Sequence, residues 1–170
     1  MAAFRFQGYW KDVGTLTSLW DANMDMLSPD SGLDLSDESW PIYARSVDAP
    51  PIYMGGDSHV SHSAINRGCD IEGTVENSVL SPRVTIEKGA RVSYSVILPG
   101  VTVEAGAVIE YAIIGEGCHI GRECRVGGTP DSTPGGKWDL TVLAPDCALE
   151  DGREIAPGVM LDRYGKEVLK

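Results

Sequence analysis

The chain has 170 residues, of which 42% are hydrophobic and 23% are charged, and this is the composition of an ordinary globular domain rather than of a disordered chain. Its net charge of −11 makes nucleic acid and anionic membranes poor partners, because binding a polyanion requires clustered Lys and Arg. No stretch approaches the roughly 18 apolar residues that span a bilayer, and the N-terminus lacks the apolar region of a signal peptide, so we expect a cytoplasmic protein.

The first predicted element, residues 4–12, is an aromatic strand. Because an unpaired aromatic strand is costly at a sheet edge, we expect residues 1–28 to be the end of a larger domain, made of a strand and a helix. The hydroxyl of Thr15 is placed to cap the helix, and Pro29 ends it. Apolar residues at helical spacing predict packing against a neighbour that need not lie in this chain. They are Leu16, Leu19, Trp20, Met24 and Leu27.

Residues 29–57 are predicted to form an extended connector. The segment is rich in proline, with Pro50 and Pro51 near its end, and it shows little periodicity. Trp40 and Tyr43 are expected to anchor it by burying their rings.

Aliphatic residues then recur, from about residue 58 to residue 126, with a period of 17 residues made of steps of six, six and five. The first column of this repeat holds Leu80, Ile97 and Ile114; the seventh holds Ile86, Val103 and Ile120, with Cys69 one row earlier; the thirteenth holds Val92, Ile109 and Val126, with Val75 one row earlier. An amphipathic helix would instead repeat near 3.6 residues. The period fits a triangular coil in which one large side chain per face points inward and stacks on its equivalent in the next coil.

We therefore predict a mainly β fold, a left-handed parallel β-helix over residues 58–170, with the hand assigned from the hexapeptide pattern. Residues 127–140 break the period and are predicted to form an inserted loop, because they are rich in Gly, Pro and Thr. This loop is either a surface excursion without a role or a contact to another subunit or a ligand. The repeat resumes over residues 141–160, and residues 160–170 are expected to cap the open end.

Few side chains of the repeat could carry chemistry. A hexapeptide acyltransferase would need a general-base His at a coil boundary, and a zinc-dependent carbonic anhydrase of this fold would need three His ligands on adjacent coils. The three histidines, His59, His62 and His119, are better explained as exposed turn residues. The four cysteines form no C-x-x-C pair, and we expect free thiols that pack as small apolar residues rather than zinc ligands.

Four segments together resemble a known enzyme family. They are residues 8–15 (GYWKDVGT), 18–24 (SLWDANM), 40–43 (WPIY) and 73–80 (GTVENSVL). Their combination is similar to glucose-1-phosphate adenylyltransferase (ADP-glucose pyrophosphorylase), and the resemblance runs from about Phe4 to Val126. That family joins an N-terminal nucleotidyltransferase domain to a C-terminal left-handed β-helix. The resemblance therefore implies that this chain is the C-terminal part of such an enzyme, with residues 1–28 as the end of the catalytic domain.

The family makes ADP-glucose and pyrophosphate from ATP and glucose 1-phosphate, for glycogen or starch synthesis. In related sugar nucleotidyltransferases the Asp of this motif helps to hold the Mg²⁺ that bridges the phosphates, so the resemblance implies that Asp12 is a metal ligand in the complete enzyme. The alternative is that Asp12 caps the following helix or satisfies backbone N–H groups, and Lys11 is expected to face solvent. The resemblance implies no catalytic residue in this chain, and its cofactor-binding residues stay unknown. Because the resemblance places catalysis in the N-terminal domain, the chain alone is expected to hold no cofactor and to be inactive.

The resemblance also implies partners. These are the chain's own N-terminal catalytic domain, sibling subunits in a homo- or hetero-tetramer, and small anionic allosteric effectors. The β-helix would then serve oligomerisation and regulation. Three alternatives stay open at this point: a hexapeptide acyltransferase, a non-catalytic regulatory subunit, and a structural scaffold.

Overall fold

The computed structural model describes residues 3–35, 37–39, 41, 43, 47–130 and 139–168. They form one α-helix, α1 (Leu16–Asp25), a 3-10 turn (Pro29–Ser31), and short strands that wind through three sheets. The first sheet holds β1 (Tyr53–Met54), β4 (Asp70–Ile71), β7 (Thr85–Ile86), β10 (Thr102–Val103), β13 (His119–Ile120) and β16 (Ala148–Leu149). The second holds β2 (His59–Ser61), β5 (Thr74–Glu76), β8 (Arg91–Ser93), β11 (Val108–Glu110), β14 (Arg125–Gly127) and β17 (Glu154–Ile155). The third holds β3 (Ala64–Ile65), β6 (Val79–Leu80), β9 (Val96–Ile97), β12 (Ala112–Ile114), β15 (Thr141–Leu143) and β18 (Met160–Leu161).

This arrangement is a left-handed parallel β-helix, as the 17-residue period predicts. Each strand pairs in parallel with the strand one coil away, so that Thr85 lies beside Thr102 and Thr102 beside His119. One side chain per strand points into the triangular interior, and the stacked interior residues form a single core. Its largest fully buried members are Ile71, Leu80, Ile86, Ile97, Ile109, Ile114, Ile120, Leu143 and Leu149. Burying each such side chain contributes about 1.5–3 kcal/mol, so stability depends on stacking coil upon coil.

The coil between β4 and β7 is shorter than the period, and this makes one sequence prediction wrong. Ile71 pairs with Ile86, so Ile71 and not Cys69 occupies the seventh column. Cys69 lies in the column of Val84 instead, because the following residue, Asp70, donates its N–H to the Val84 carbonyl (2.9 Å). The shortening falls at the turn that contains Gly73, where the backbone of the next coil leaves no room for a Cβ atom.

The N-terminal end of the solenoid differs from the prediction, whereas the C-terminal end agrees with it. The first sheet begins with β1 at Tyr53, before the predicted start at residue 58. At the other end the tail folds back as expected of a cap: Glu167 forms an antiparallel bridge with Leu161, and the Val168 N–H donates to the Met160 carbonyl (2.8 Å). The tail therefore covers the last edge of the third sheet.

Buried serines stabilise one corner of the solenoid, and no sequence prediction covered them. Ser78 and Ser95 are fully buried. The Ser78 hydroxyl oxygen accepts the Ser95 N–H (3.1 Å), and the Ser95 oxygen accepts the Ala112 N–H (3.1 Å). Each hydroxyl donates in turn to a carbonyl two residues earlier, which is Glu76 O for Ser78. The ladder satisfies backbone groups at the corner that would otherwise be buried without partners.

Helix α1 packs against the outer face of the third sheet. Thr15 caps it as predicted: its hydroxyl accepts the Ser18 N–H (3.1 Å), and the Ser18 hydroxyl accepts the Thr15 N–H in return. The helix ends at Asp25, and Pro29 begins the 3-10 turn. Trp20 and Met24 pack on a second apolar cluster made of Val96 and Ile113 of the third sheet and Leu140 just before it, and these three residues are almost completely buried. The neighbour of the apolar stripe is thus part of this chain.

The connector and the inserted loop are only partly described. Tyr43 was predicted to anchor the connector by burying its ring. This prediction is wrong, because Tyr43 is 91% exposed. Trp40 and Ile42, and residues 131–138 of the predicted loop, lie outside the described residues. The solenoid continues after the predicted loop, since Ile114 of β12 pairs with Leu143 of β15. Within the described residues, no helix has the length and apolar character needed to cross a membrane.

Candidate functional site

The segment before α1, residues 8–15, is held against the helix by one carboxylate. Asp25 accepts the Tyr9 hydroxyl (2.9 Å) and the Lys11 ammonium (2.7 Å). The expectation that Lys11 faces solvent is therefore wrong, since only 28% of its side chain is exposed. The signal for this contact is the spacing between Lys11 and Asp25, which becomes meaningful only when the segment folds back along the helix.

Asp12 lies in the same segment and is exposed. Its Oδ1 atom accepts the N–H of Gly14 (3.0 Å), which closes a tight turn just before the helix cap. This is the backbone role that the sequence left open as the alternative to metal binding. One carboxylate oxygen remains outside that hydrogen bond. Among the described residues no group of three or more His, Cys, Asp or Glu is placed to hold a metal, so Asp12 stays a predicted ligand.

The Asp25 contact has a pH dependence whose direction can be worked out. The hydrogen bond from the Lys11 ammonium, with that from Tyr9, lowers the pKa of Asp25, and the hydrogen bond to Asp25 raises the pKa of Lys11. A lowered carboxyl pKa stabilises the contact above the unfolded value, near 3.9, and that stabilisation is lost as the pH falls through the folded pKa.

We therefore expect residues 9–11 to leave the helix in acid, at pH below about 4. The chemical shifts of Lys11 and Tyr9 followed by NMR against pH measure this, and Asp25→Asn is the matched control because its amide does not titrate. A transition of the same size in Asp25→Asn would contradict the assignment to Asp25.

The three histidines lie on the outside of the solenoid. His62 Nδ1 lies 2.8 Å from Asn77 Oδ1, and His59 Nε2 lies 3.8 Å from Glu76. His119 Nε2 lies 3.0 Å from Glu104, which also faces Arg122 at 3.6 Å. His119, Glu104 and Arg122 line a shallow groove of about 550 Å³ together with residues 148–151. His119 therefore has a close carboxylate and lines a groove.

The cysteines are free and buried, as predicted. Burial raises the pKa of all four thiols, and that of Cys118 rises to about 11. Cys118 and Cys124 donate to backbone carbonyls of the next coil, Ala144 (3.1 Å) and Glu150 (3.1 Å). Because the thiolate is the reactive form, these side chains are suited to packing and not to nucleophilic chemistry.

Comparisons with known proteins show what the solenoid is similar to. Residues 53–134 match the family model described as "GlmU-like, C-terminal hexapeptide". Curated relatives include a glucose-1-phosphate adenylyltransferase of Geobacillus stearothermophilus, 54% identical over 90 residues, which are 53% of this chain and 23% of the relative. The enzyme of the same name from Bacillus mycoides (strain KBAB4) is 49% identical over 92 residues, 54% of this chain and 24% of the relative. The resemblance to this family is therefore confirmed, within the C-terminal hexapeptide region of these relatives.

Among solved structures, the acetyltransferase domain of PglB from Neisseria gonorrhoeae FA1090, in complex with acetyl coenzyme A, has a TM-score of 0.53 and 20% sequence identity. The similarity covers 71% of this chain and 58% of that one. At this identity the likeness supports the fold alone. The chain spans about a quarter of the length of the curated relatives it matches.

Proposed function

We propose that this chain serves as the C-terminal oligomerisation and regulatory β-helix of a glucose-1-phosphate adenylyltransferase, an enzyme that makes ADP-glucose and pyrophosphate from ATP and glucose 1-phosphate. The observation that carries the proposal is the 54% identity to such an enzyme over 90 residues. Hexapeptide solenoids host many unrelated functions, so fold alone would not select this one. Identity of this level, together with the GYWKDVGT segment, supports this function over the others.

Within that function Asp12 is the residue assigned to the metal. Mg²⁺ is usually bound by one or two carboxylates together with substrate phosphates, and when bound it neutralises charge on the transferring phosphoryl group. One Asp12 oxygen is engaged by the Gly14 N–H, which fixes the carboxylate, and the other is available to a metal. A single exposed carboxylate fits one ligand of such a site and not the whole of it, so the phosphates and a catalytic domain would complete it.

The partners we propose are an N-terminal catalytic domain, sibling subunits of a homo- or hetero-tetramer, and small anionic effectors. The apolar surface of the N-terminal segment supports the first of these. Phe4 is 91% exposed, Phe6 55% and Trp10 76%. Aromatic side chains exposed together are typical of a surface that another domain covers. A non-catalytic regulatory subunit of the same enzyme would present the same solenoid.

The purified 170-residue chain is expected to make no ADP-glucose, since the residues that the structure describes form one helix and a β-helix and no nucleotidyltransferase domain. The measurement is release of pyrophosphate from ATP and glucose 1-phosphate with Mg²⁺ present, and a complete glucose-1-phosphate adenylyltransferase is the positive control. The expectation would be contradicted by an activity that copurifies with the chain through two columns and that is lost in Asp12→Asn. Light scattering tests the oligomerisation role, because a chain that stays at 18.2 kDa at every concentration would count against it.

Acyl transfer is the second candidate, favoured by one observation. His119 and Glu104 form a His–carboxylate pair in a groove, which is the arrangement a general base needs. Against it, Glu104 is shared with Arg122, and the groove is shallow and polar. We expect no heat when acetyl coenzyme A is titrated into the chain. Saturable heat that His119→Ala removes would favour acyl transfer over the first proposal.

A further inference from the structure

Two tyrosines occupy an unfavourable backbone conformation at one corner of the solenoid. Tyr94 and Tyr111 lie between the second and third sheets, one coil apart, and have positive φ angles of 47° and 49°. Asn77 fills the same corner one coil earlier, with φ 47°. Asn tolerates the left-handed region because its short side chain can bond locally, whereas a bulky aromatic residue there is a genuine outlier. Such outliers persist where the surroundings favour them, and the contacts of the two side chains are therefore worth following.

The two rings form a platform for helix α1. Tyr94 and Tyr111 stack with their centroids 4.7 Å apart and their planes at 8°. Trp20 of α1 stacks on Tyr111 at 6.0 Å, and its Nε1–H donates to the Tyr94 carbonyl (2.8 Å). The corner thus contacts Trp20 through a ring and through a backbone group that the left-handed turn presents. An Asn or Gly at these positions would keep the turn and lose the platform.

The same helix holds the segment that contains Asp12. Asp25, at the C-terminal end of α1, accepts hydrogen bonds from Tyr9 and Lys11. Lys11 is the residue before Asp12, and Asp12 is fixed in turn by the Gly14 N–H. One rigid helix therefore carries a contact to the solenoid at Trp20 and a contact to the Asp12 segment at Asp25.

We propose that Tyr94, Tyr111 and Trp20 are positioning residues for Asp12: they fix α1 on the solenoid and, through Asp25, fix the Asp12 carboxylate relative to the β-helix. The importance of this position for catalysis rests on the proposed function. The physical link does not, and it is tested without any enzyme activity.

The test compares backbone order parameters from ¹⁵N relaxation in the full chain and in Tyr94→Asn/Tyr111→Asn. Asparagine retains the left-handed turn, so the solenoid is expected to stay folded, with its core amides at the rigid value of about 0.85. The order parameters of residues 9–14 are expected to fall below about 0.6, and hydrogen exchange in α1 to become about tenfold faster. A merely structural role at the corner would not change residues 9–14.

Two further variants sharpen the result. Asp25→Asn is expected to free residues 9–14 while the Trp20 indole resonance stays at its wild-type shift, because the helix remains on the corner. Tyr111→Phe, made alone, retains the ring, so residues 9–14 are expected to keep their wild-type order parameters. The matched control is Glu123→Asn, which introduces asparagine at another left-handed position (φ 54°), on the corner between the first and second sheets, whereas α1 packs on the third sheet.

Three outcomes would overturn the proposal. Residues 9–14 could stay rigid in Tyr94→Asn/Tyr111→Asn although α1 exchanges faster, which would show that the helix does not transmit the constraint. A second such outcome is that neither residues 9–14 nor α1 change, which would show that the platform is not what holds α1. The core amides of the solenoid could lose protection to the same degree as α1, which would make the tyrosines general stabilisers of the fold.

Discussion

Replacing Gly73 with alanine should lower the free energy of unfolding by about 3 kcal/mol, the upper end of the usual cost of overpacking. An added Cβ atom would overlap the carbonyl oxygen of Ala90, and it would lie 2.8 Å from the Glu87 carbonyl oxygen and 2.9 Å from Ile86 Cγ2. Two of these atoms belong to the backbone of the next coil and cannot rotate away. Relief would require the coils to separate, which would weaken the Thr74 N–H to Ala90 O hydrogen bond (2.8 Å).

Urea unfolding of the 170-residue chain measures this cost, and the chain offers a matched control. Gly56 lies at the same end of the solenoid, and an added Cβ there would meet no atom within 4 Å. Gly56→Ala should therefore change the free energy of unfolding by less than about 0.5 kcal/mol. Equal effects of the two substitutions would show that the close approach of the coils at Gly73 is wrong.

The same glycine explains where the sequence prediction of the repeat failed. A period holds only while every coil has the same length, and a strict period of 17 placed Cys69 in a column that Ile71 occupies. The shorter turn depends on the absence of a side chain at Gly73, and a glycine in a turn is not by itself a sign of shortening. The other columns were predictable, because their register repeats aliphatic residues at fixed spacing, as in Val92, Ile109 and Val126.

Contacts between distant segments were harder to predict than the repeat. The amphipathic pattern of α1 showed that it packs against something, but not that Val96 and Ile113 turn their side chains outward to meet it. Residues on the outer face of a sheet are normally polar, so two apolar residues there were the available signal. The Asp25 contact left only a weak signal in the sequence, the spacing between Lys11 and Asp25, because charged residues at a helix end are usually solvated. The contact bears on the candidate site, because it fixes Lys11, the residue before Asp12, while Asp12 itself is held by its own turn.

The inside–outside alternation of the second sheet gives the other large effect. Ile109→Ala should cost about 3–4 kcal/mol, because the side chain is fully buried and the surrounding residues can relax only partly into the cavity. Ile109 lies in register between Val92 and Val126, and both neighbours are fixed by strands of their own coils. A solenoid core is one side chain deep in each layer, so no second shell of side chains can move in to fill the space.

Val108→Ala is the matched control for this substitution, since Val108 is the preceding residue of the same strand. Its side chain lies on the outer face, lining a groove with Arg91 and Arg125, and it is only partly buried. We expect Val108→Ala to cost less than about 1 kcal/mol in the same urea titration, because little apolar surface is lost and no closed cavity forms. If Val108→Ala proved as costly as Ile109→Ala, the second sheet would be paired one residue out of register, since a shift of one residue exchanges the two faces of a strand. Because β11 pairs with β8 and β14, that error would extend to three coils, and the columns that define the fold would have to be assigned again.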